Sequence, residues 1–124
     1  MIVAGFGFRR AATVESLADA LIAAERAQGC RAERIATVAD KATSDSFAGF
    51  ATKTGLPVSA VSSDALVGQD TRTRSEASEA ARATGSVAEA AALAAAGPGA
   101  RLLGARVISP DRHATCALAE GDPA

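Results

Sequence analysis

The sequence predicts a three-layer α/β/α domain over residues 1–124, built on a mixed, mostly parallel sheet of about five strands. Short apolar segments typical of buried strands alternate along the chain with segments that have the hydrophobic spacing of helices. The last two strand-like segments flank a short polar turn. Such alternation is typical of a parallel sheet covered by helices on both faces, and the closing turn predicts a C-terminal antiparallel hairpin.

The predicted strands are short and mostly apolar. The first, Ile2–Gly5, has no polar face and ends at a glycine, so we expect it to lie inside the sheet, followed by a loop over residues 5–12. The others are Arg34–Val38, Val58–Val61, Leu102–Ile108 and Ala114–Leu118. Because Ser109–His113 has the composition of a turn, the last two strands are predicted to pair with each other.

Capping residues and glycines mark the helices. Thr13 is the expected N-cap of the first helix, and Gly29 ends it. Ser86 and Glu89 have the spacing of a capping box at the start of a helix that runs to Ala96. The remaining helical segments are one through Thr54, a short turn through Val67, and Ser75–Thr84.

Composition excludes several classes of protein. Thirteen Lys and Arg against fourteen Asp and Glu give a net charge of -1, which argues against a nucleic-acid-binding protein. Cys30 and Cys116 lie far apart and lack C-x-x-C spacing, so we expect reduced thiols and no metal site. No segment has the pattern of a signal peptide or a membrane span. We therefore expect a cytoplasmic protein without a cofactor.

Cationic residues follow the predicted strands at the points where a ligand would bind. In an open α/β sheet, ligands lie beyond the carboxyl ends of the parallel strands. Arg9 and Arg10 follow the first strand, Lys41 follows the second, and Ser62 and Ser63 follow the third. Arginine binds carboxylates through two parallel hydrogen bonds, so this edge predicts a polyanionic ligand. The alternative is that these residues are ordinary solvated charges on loops.

The residues before these arginines add apolar and flexible positions to the predicted site. Gly5 and Gly7 would allow a ligand to approach the backbone, and Phe6 and Phe8 would contact its apolar body. Asp40 is a weak candidate for a general base because it lies beside a lysine at a strand end. Arg72 and Arg74, on the longest loop, could reach the same region.

Two other kinds of site are disfavoured. Gly5-x-Gly7 resembles the start of a dinucleotide-binding motif, but Arg10 stands where the third glycine is required. His113 is the one histidine of the chain, so a catalytic triad would have to use it. Its place in a polar turn favours a solvated histidine instead.

Five segments resemble motifs of the CobE/CbiG C-terminal domain family. They are Val3–Arg10, Ile35–Lys41, Gly55–Pro57, Thr84–Leu93 and Ala114–Ala119. The Thr84–Leu93 segment, T-G-S-V-A-E-A-A-A-L, is the most specific of them. Ser86 and Glu89, which lie in this segment, are also candidate ligand-binding residues, and the simpler interpretation of Glu89 is a capping-box carboxylate. Together these segments span almost the whole chain.

The resemblance implies a role in the biosynthesis of cobalamin, or vitamin B12. A stand-alone domain of this length is most similar to the CobE type, which would bind a corrin or precorrin intermediate as a carrier or accessory factor. Other enzymes of the cobalamin pathway are its implied protein partners. The alternative within the family is a CbiG-like hydrolase that opens the lactone ring of a precorrin-5A-type intermediate. Outside the family, an α/β interaction module with solvated arginines remains open.

Overall fold

The computed structural model describes residues 1–67, 69, 71 and 86–121, in which strands and helices alternate. The strands are β1 (Ile2–Phe8), β2 (Arg34–Val38), β3 (Val58–Val61), β4 (Arg101–Leu102), β5 (Val107–Ile108) and β6 (Ala114–Glu120). The helices are α1 (Val14–Gln28), α2 (Ala39–Ala42), α3 (Asp45–Thr54), α4 (Ser63–Leu66) and α5 (Val87–Ala96). The predicted helix Ser75–Thr84 lies outside the described residues.

The described strands form one mixed sheet of six strands in the order β3-β2-β1-β6-β4, with β5 paired to β6. β1, β2 and β3 are parallel to one another, whereas β6 is antiparallel to β1, β4 and β5. Within the described chain, therefore, β6 alone runs against the other five strands. The predicted mixed, mostly parallel sheet is confirmed, as is the antiparallel pairing of the last two strands.

Helices cover both faces of the sheet, which gives the predicted three layers. α1 and α3 pack on one face, over a core that contains Phe6, Phe47 and Phe50. α4 and α5 pack on the other face, over a core that contains Val38 and Leu66. Alternate residues of the central strands enter the two cores, because successive side chains of a strand point to opposite faces.

Strand β1 is longer than the sequence predicts. The prediction ended it at Gly5 and placed the following residues in a loop, but β1 continues to Phe8. Its continuation is paired in register with β6, where Phe6 lies opposite Cys116 and Phe8 opposite Ala114. The predicted loop is wrong because a strand that arrives from the C-terminal part of the chain satisfies the hydrogen bonds of these residues.

Gly5 is required by the close approach of α5 to β1. A Cβ atom at Gly5 would lie 2.2 Å from the carbonyl oxygen of Ala88 and 2.4 Å from the amide nitrogen of Ala92. Both of these atoms belong to the helix backbone, so a side chain would have to move the whole helix. The helix presents alanines to the strand, which keeps the separation small on both sides of the contact.

The other predicted boundaries agree closely with the structure. β2 and β3 have the predicted bounds, and the helix through Thr54 ends there. Residues 39–42, which directly follow β2, form the short helix α2. The predicted strand Leu102–Ile108 is divided into β4 and β5, since an irregular segment separates the two short pairings with β6.

The capping interactions fix where the long helices begin. Thr13 accepts a hydrogen bond from the Ser16 amide, and the Ser16 hydroxyl accepts one from the Thr13 amide, which completes a capping box. Ser86 accepts a hydrogen bond from the Glu89 amide at the start of α5, as predicted. Gly29 adopts the left-handed conformation at the end of α1, with φ 66°.

We predict that Gly5→Ala lowers the free energy of unfolding by about 3 kcal/mol, at the upper end of the range for overpacked cores. The added methyl group would collide with backbone atoms of α5, which side-chain rotation cannot relieve. Gly49→Ala is the matched control, since its new Cβ would meet only a methyl group of Val14, at 3.1 Å. Equal urea unfolding midpoints for the two variants would contradict the proposed packing constraint.

We also expect Ser86→Ala to destabilise the protein by about 1–2 kcal/mol, because the Glu89 amide would lose its acceptor in a buried setting. Ser44→Ala removes the corresponding cap of α3, which is partly exposed, so water can replace the lost bond. Thermal melts should show the larger shift for Ser86→Ala. An unchanged melting temperature for this variant would refute the capping role.

Candidate functional site

The cations that follow β1 and β2 lie at one end of the sheet. β1 and β2 are adjacent and parallel, with Ala4 opposite Ile35, so their carboxyl ends point in the same direction. Arg9 and Arg10 follow β1 directly, and Lys41 lies in α2, which follows β2. We call these three residues the basic rim. The site depends on this adjacency of the first two strands.

Arg9 and Arg10 are exposed, and their backbone is held in place. The Arg9 amide donates to the carbonyl of His113 at 2.8 Å, and the Arg9 carbonyl accepts from the Ala12 amide at 3.0 Å. Within the described part of the chain, neither guanidinium group makes an ion pair. Two uncompensated cations are thus presented to solvent from a fixed turn.

Lys41 reaches across to the end of β1. Its Nζ donates a hydrogen bond to the carbonyl oxygen of Phe8 and lies 4.9 Å from the centre of the Phe8 ring. The residue is partly buried, and the aromatic ring beneath the ammonium group adds a cation–π attraction. This contact holds the lysine of the second strand–helix connection beside the arginines of the first.

The two phenylalanines of β1 belong to the core and not to an open ligand surface. Phe6 is 0% exposed, and its ring contacts Phe50 and Phe47 at centroid distances of 5.1 and 5.9 Å. Phe8 is 9% exposed and stacks on Phe47 at 5.8 Å. The expected contact of both rings with a ligand stays a prediction, whereas the structure shows that β1 continues through them and turns them towards α3. Phe8 remains the edge of the core nearest to the rim.

Gly5 and Gly7 are likewise placed against α5. A Cβ atom at Gly7 would lie 3.0 Å from the Thr115 hydroxyl and 3.4 Å from the Val87 side chain, so this glycine also faces neighbouring elements. The missing side chains at Gly5 and Gly7 therefore allow neighbouring elements of the protein to pack against β1. The sequence suggested instead that they would allow a ligand to approach the strand. The signal that was missed is the alternation of large and small residues from Ala4 to Phe8, which is typical of a strand with two different faces.

Ser86 and Glu89 lie at the rim end of α5 but are 0% exposed. Ser86 caps the helix, and the Glu89 carboxylate accepts a hydrogen bond from the Arg106 amide at 2.8 Å. Their expected contact with a ligand stays a prediction, whereas the structure shows both side chains bonded within the protein, Ser86 to the start of α5 and Glu89 to the β4–β5 connection. Burial of this kind depends on tertiary packing, which the local sequence does not report.

Asp40, Ser62 and Ser63 are exposed at the ends of β2 and β3. Ser62 caps α4 by accepting a hydrogen bond from the Ala65 amide at 3.2 Å. These residues therefore occupy the predicted edge of the sheet. Arg72 and Arg74, the other cations expected near the rim, lie outside the described residues.

The turn between β5 and β6 joins the rim, which the sequence did not predict. β6 is antiparallel to β1, so residues 109–113 lie next to the carboxyl end of β1. Asp111 accepts hydrogen bonds from the Ser16 and Ser109 hydroxyls, each at 2.5 Å, and from the His113 amide at 3.0 Å. The Ser109 and Ser16 hydroxyls and the His113 amide lower the pKa of Asp111 to about 2.

His113 is half-buried, although a solvated side chain was expected. Within the described chain, its Nδ1 atom is buried and has no hydrogen-bond partner. Its carbonyl oxygen accepts the Arg9 amide, so the one histidine of the chain lies beside the basic rim.

The helix termini add to the positive potential at the rim. α1 begins a few residues after Arg10, and α5 begins at the Gly7 end of β1. Helix N-termini carry partial positive charge and favour nearby anions. The site therefore combines exposed cationic side chains with two helix starts, whose first turns also carry Glu15 and Glu89.

The rest of the described surface has fewer groups that could bind or react with a ligand. A hollow of about 440 Å³ lies between α4 and the last turn of α5 and is lined mainly by small and apolar residues.

No His, Cys, Asp or Glu side chains in the described ranges form a group of three that could hold a metal ion. Cys116 is fully buried, and burial raises the pKa of its thiol. Among the described helices, none is both long and apolar enough to cross a bilayer.

Comparisons with known proteins agree on one family. The family model for the cobalamin synthesis G C-terminus matches residues 2–119. CobE, a protein from the cobalamin (vitamin B12) biosynthetic pathway, is 30% identical, with a TM-score of 0.86 over 96% of this chain and 89% of that chain. The cobalamin biosynthesis protein chiG from Agrobacterium tumefaciens str. C58 is 33% identical, with a TM-score of 0.77 over 99% of this chain and 100% of that chain.

A more distant structure shares the fold. A cobalamin biosynthesis protein G homolog from Sulfolobus solfataricus is 17% identical, with a TM-score of 0.73 over 98% of this chain and 37% of that chain. No curated protein sequence matches the chain.

We predict that Asp111 makes stability depend on pH in the acid range. Its folded pKa of about 2 lies below the ordinary value of 3.8, so its ionised form is favoured in the folded state. The contribution of Asp111 to the stability of the folded state is fully present above its ordinary pKa of 3.8, and it is lost as the pH falls towards 2. Wild type should be more stable than Asp111→Asn in urea at neutral pH, and the difference should shrink over this range. Parallel stability curves for the two proteins would contradict the assignment.

Proposed function

Because the chain belongs to the family of the cobalamin synthesis G C-terminus, we propose that its basic rim binds the peripheral carboxylates of a corrin or precorrin intermediate. The protein is a cobalamin-biosynthesis protein of CobE/CbiG type. Its proposed action is that of a carrier or accessory factor, which holds the intermediate and passes it to other enzymes of the pathway.

The chemistry of the ligand class matches the chemistry of the rim. Corrin precursors are flat macrocycles fringed with acetate and propionate groups, so they carry several negative charges around an apolar body. Arginine pairs with such carboxylates through two parallel hydrogen bonds, and lysine adds a point charge. A macrocycle resting at this edge would meet several cations at once.

The observation that carries the proposal is the pair of exposed, uncompensated arginines on a fixed turn. Arg9 and Arg10 make no ion pair within the described chain, and hydrogen bonds to His113 and Ala12 hold the backbone of Arg9. A backbone that is already held in place loses less freedom when the ligand binds, although the exposed side chain still has to adjust. Lys41, held against Phe8, provides a third positive group on the neighbouring connection.

A second candidate function is hydrolysis of a lactone on the same ligand, and His113 is the observation that favours it. His113 is half-buried, its backbone carbonyl accepts the Arg9 amide, and its Nδ1 has no partner within the described residues. A general base of this type would take a proton from water as the water oxygen attacks the lactone carbonyl. The ring C–O bond would then break, and the departing alkoxide would take up the proton. Arg9 would face the negative charge that develops on the carbonyl oxygen.

We predict that Arg9→Ala weakens binding of a corrin with free carboxylates, such as cobyrinic acid, by about ten- to hundredfold. The melting temperature should stay close to that of wild type, since Arg9 is exposed and its guanidinium makes no ion pair among the described residues. Titration followed by visible absorbance measures the affinity. A corrin whose side chains are amidated should bind weakly to both proteins, because it lacks the charges that the rim would recognise.

Arg31→Ala is the matched control for this experiment. Arg31 is an exposed arginine that follows the C-terminal end of α1 and precedes β2, so it lies at the opposite end of the sheet. Its removal should leave corrin binding unchanged. If wild type binds no corrin, or if Arg9→Ala and Arg31→Ala bind equally well, the basic rim is only a solvated edge.

The carrier and the hydrolase give different products. Incubation with a lactone-bearing precorrin should return the ligand with unchanged mass if the protein is a carrier. A hydrolase would yield a product heavier by one water, or a smaller one if a fragment also leaves, and His113→Asn should abolish it without loss of binding. Mass spectrometry of the extracted ligand distinguishes these outcomes.

A further inference from the structure

Arg112 has an unusual backbone conformation. Among the described residues other than glycine, it is the one with a positive φ, at 64°. Side chains disfavour this left-handed region, which glycine enters freely, and a non-glycine residue found there often belongs to a functional site. No sequence signal requires an arginine at this point of the turn, because a glycine would satisfy the backbone better.

Hydrogen bonds on both sides hold Arg112 in this conformation. The Arg112 amide donates to the carbonyl of Ser109 at 2.8 Å. Asp111, just before it, accepts from Ser109, from the His113 amide and from Ser16 of α1. The turn is therefore attached to α1 as well as closed on itself, and the backbone of Arg112 cannot relax without breaking these bonds.

The same turn places Arg112 beside the basic rim. Its neighbour His113 accepts the amide of Arg9, so the two arginine-bearing turns are joined by a direct backbone hydrogen bond. Arg112 is exposed, and its guanidinium makes no ion pair within the described part of the chain. A further uncompensated cation is thus fixed at the end of the sheet where Arg9 and Arg10 lie.

Unfavourable features are concentrated at this turn. Arg112 is in a disfavoured conformation, and the next residue has a buried Nδ1 without a partner among the described residues. Buried polar atoms are nearly always paired, so an exception calls for an explanation. Features that oppose folding and gather around an exposed cation are expected where function requires the geometry.

We propose that Arg112 provides a second carboxylate-binding position of the ligand site and contacts the same polycarboxylate macrocycle as Arg9. This inference rests on the proposed function and adds a residue from a different part of the chain. The β1–α1 turn and the β5–β6 turn would contact carboxylates at separate points of the ring edge, so that the ligand is held by both. Recognition would then depend on the spacing of carboxylates as well as on their number.

The decisive variant is Arg112→Gly, because it separates binding from stability. Glycine removes the guanidinium group and relieves the backbone at the same time. We expect at least tenfold weaker binding of cobyrinic acid, measured by absorbance titration, with a melting temperature equal to or above that of wild type. Arg112→Lys keeps the charge and the left-handed residue, so it should bind more tightly than Arg112→Gly and less tightly than wild type.

The outcomes distinguish this inference from the proposed function. Suppose that wild type binds cobyrinic acid and Arg9→Ala weakens binding, but Arg112→Gly binds like wild type. The role of Arg112 as a ligand contact is then refuted, and the proposed binding of carboxylates by the basic rim is retained. If wild type does not bind, both proposals fail. If Arg112→Gly loses binding together with a lower melting temperature, the turn is structural and the assignment of Arg112 as a ligand contact is overturned.

Discussion

The contact between β1 and α5 is the constraint on which the rest of this fold depends. Gly5 and Gly7 leave the second half of one face of β1 without side chains, and the backbone of α5 packs closely against the strand there. The bulky residues of β1 are consequently confined to the opposite face, where Phe6 and Phe8 join the aromatic core beneath α1 and α3. The same contact brings the first turn of α5 to the end of the sheet where the rim lies.

The fold and part of the site could be predicted because their signals are local. β2 and β3 are bounded by residues that stop strands, and Arg9 and Lys41 follow strand ends directly, so a rule about parallel sheets placed them correctly. The extension of β1 was missed because it depends on pairing with β6, which comes from the other end of the chain. Burial of Glu89 and the conformation of Arg112 were missed for a similar reason, since both arise from contacts between distant segments.

The core and the rim follow different physical rules. In the core, close packing and small residues permit little variation, as the helix backbone beside Gly5 illustrates. At the rim, the backbone is fixed by hydrogen bonds while the charged side chains stay exposed, as for Arg9, or only partly buried, as for Lys41. Rigid backbone beneath adaptable charged groups suits a ligand with several carboxylates, because each cation can adjust to its partner while the turns keep their positions.

The charges near the rim also bear on the choice between binding and turnover. A general base works best when its pKa lies near the working pH, and a carboxylate with a pKa of about 2, such as Asp111, is too weak a base for that task. Asp111 instead accepts hydrogen bonds from the Ser16 and Ser109 hydroxyls and from the His113 amide. Proton transfer in this turn would fall to His113, whose Nδ1 has no carboxylate partner among the described residues, unlike the ring of most activated histidines. A turn built in this way holds and presents cations more readily than it moves protons, which favours recognition of the macrocycle over its hydrolysis.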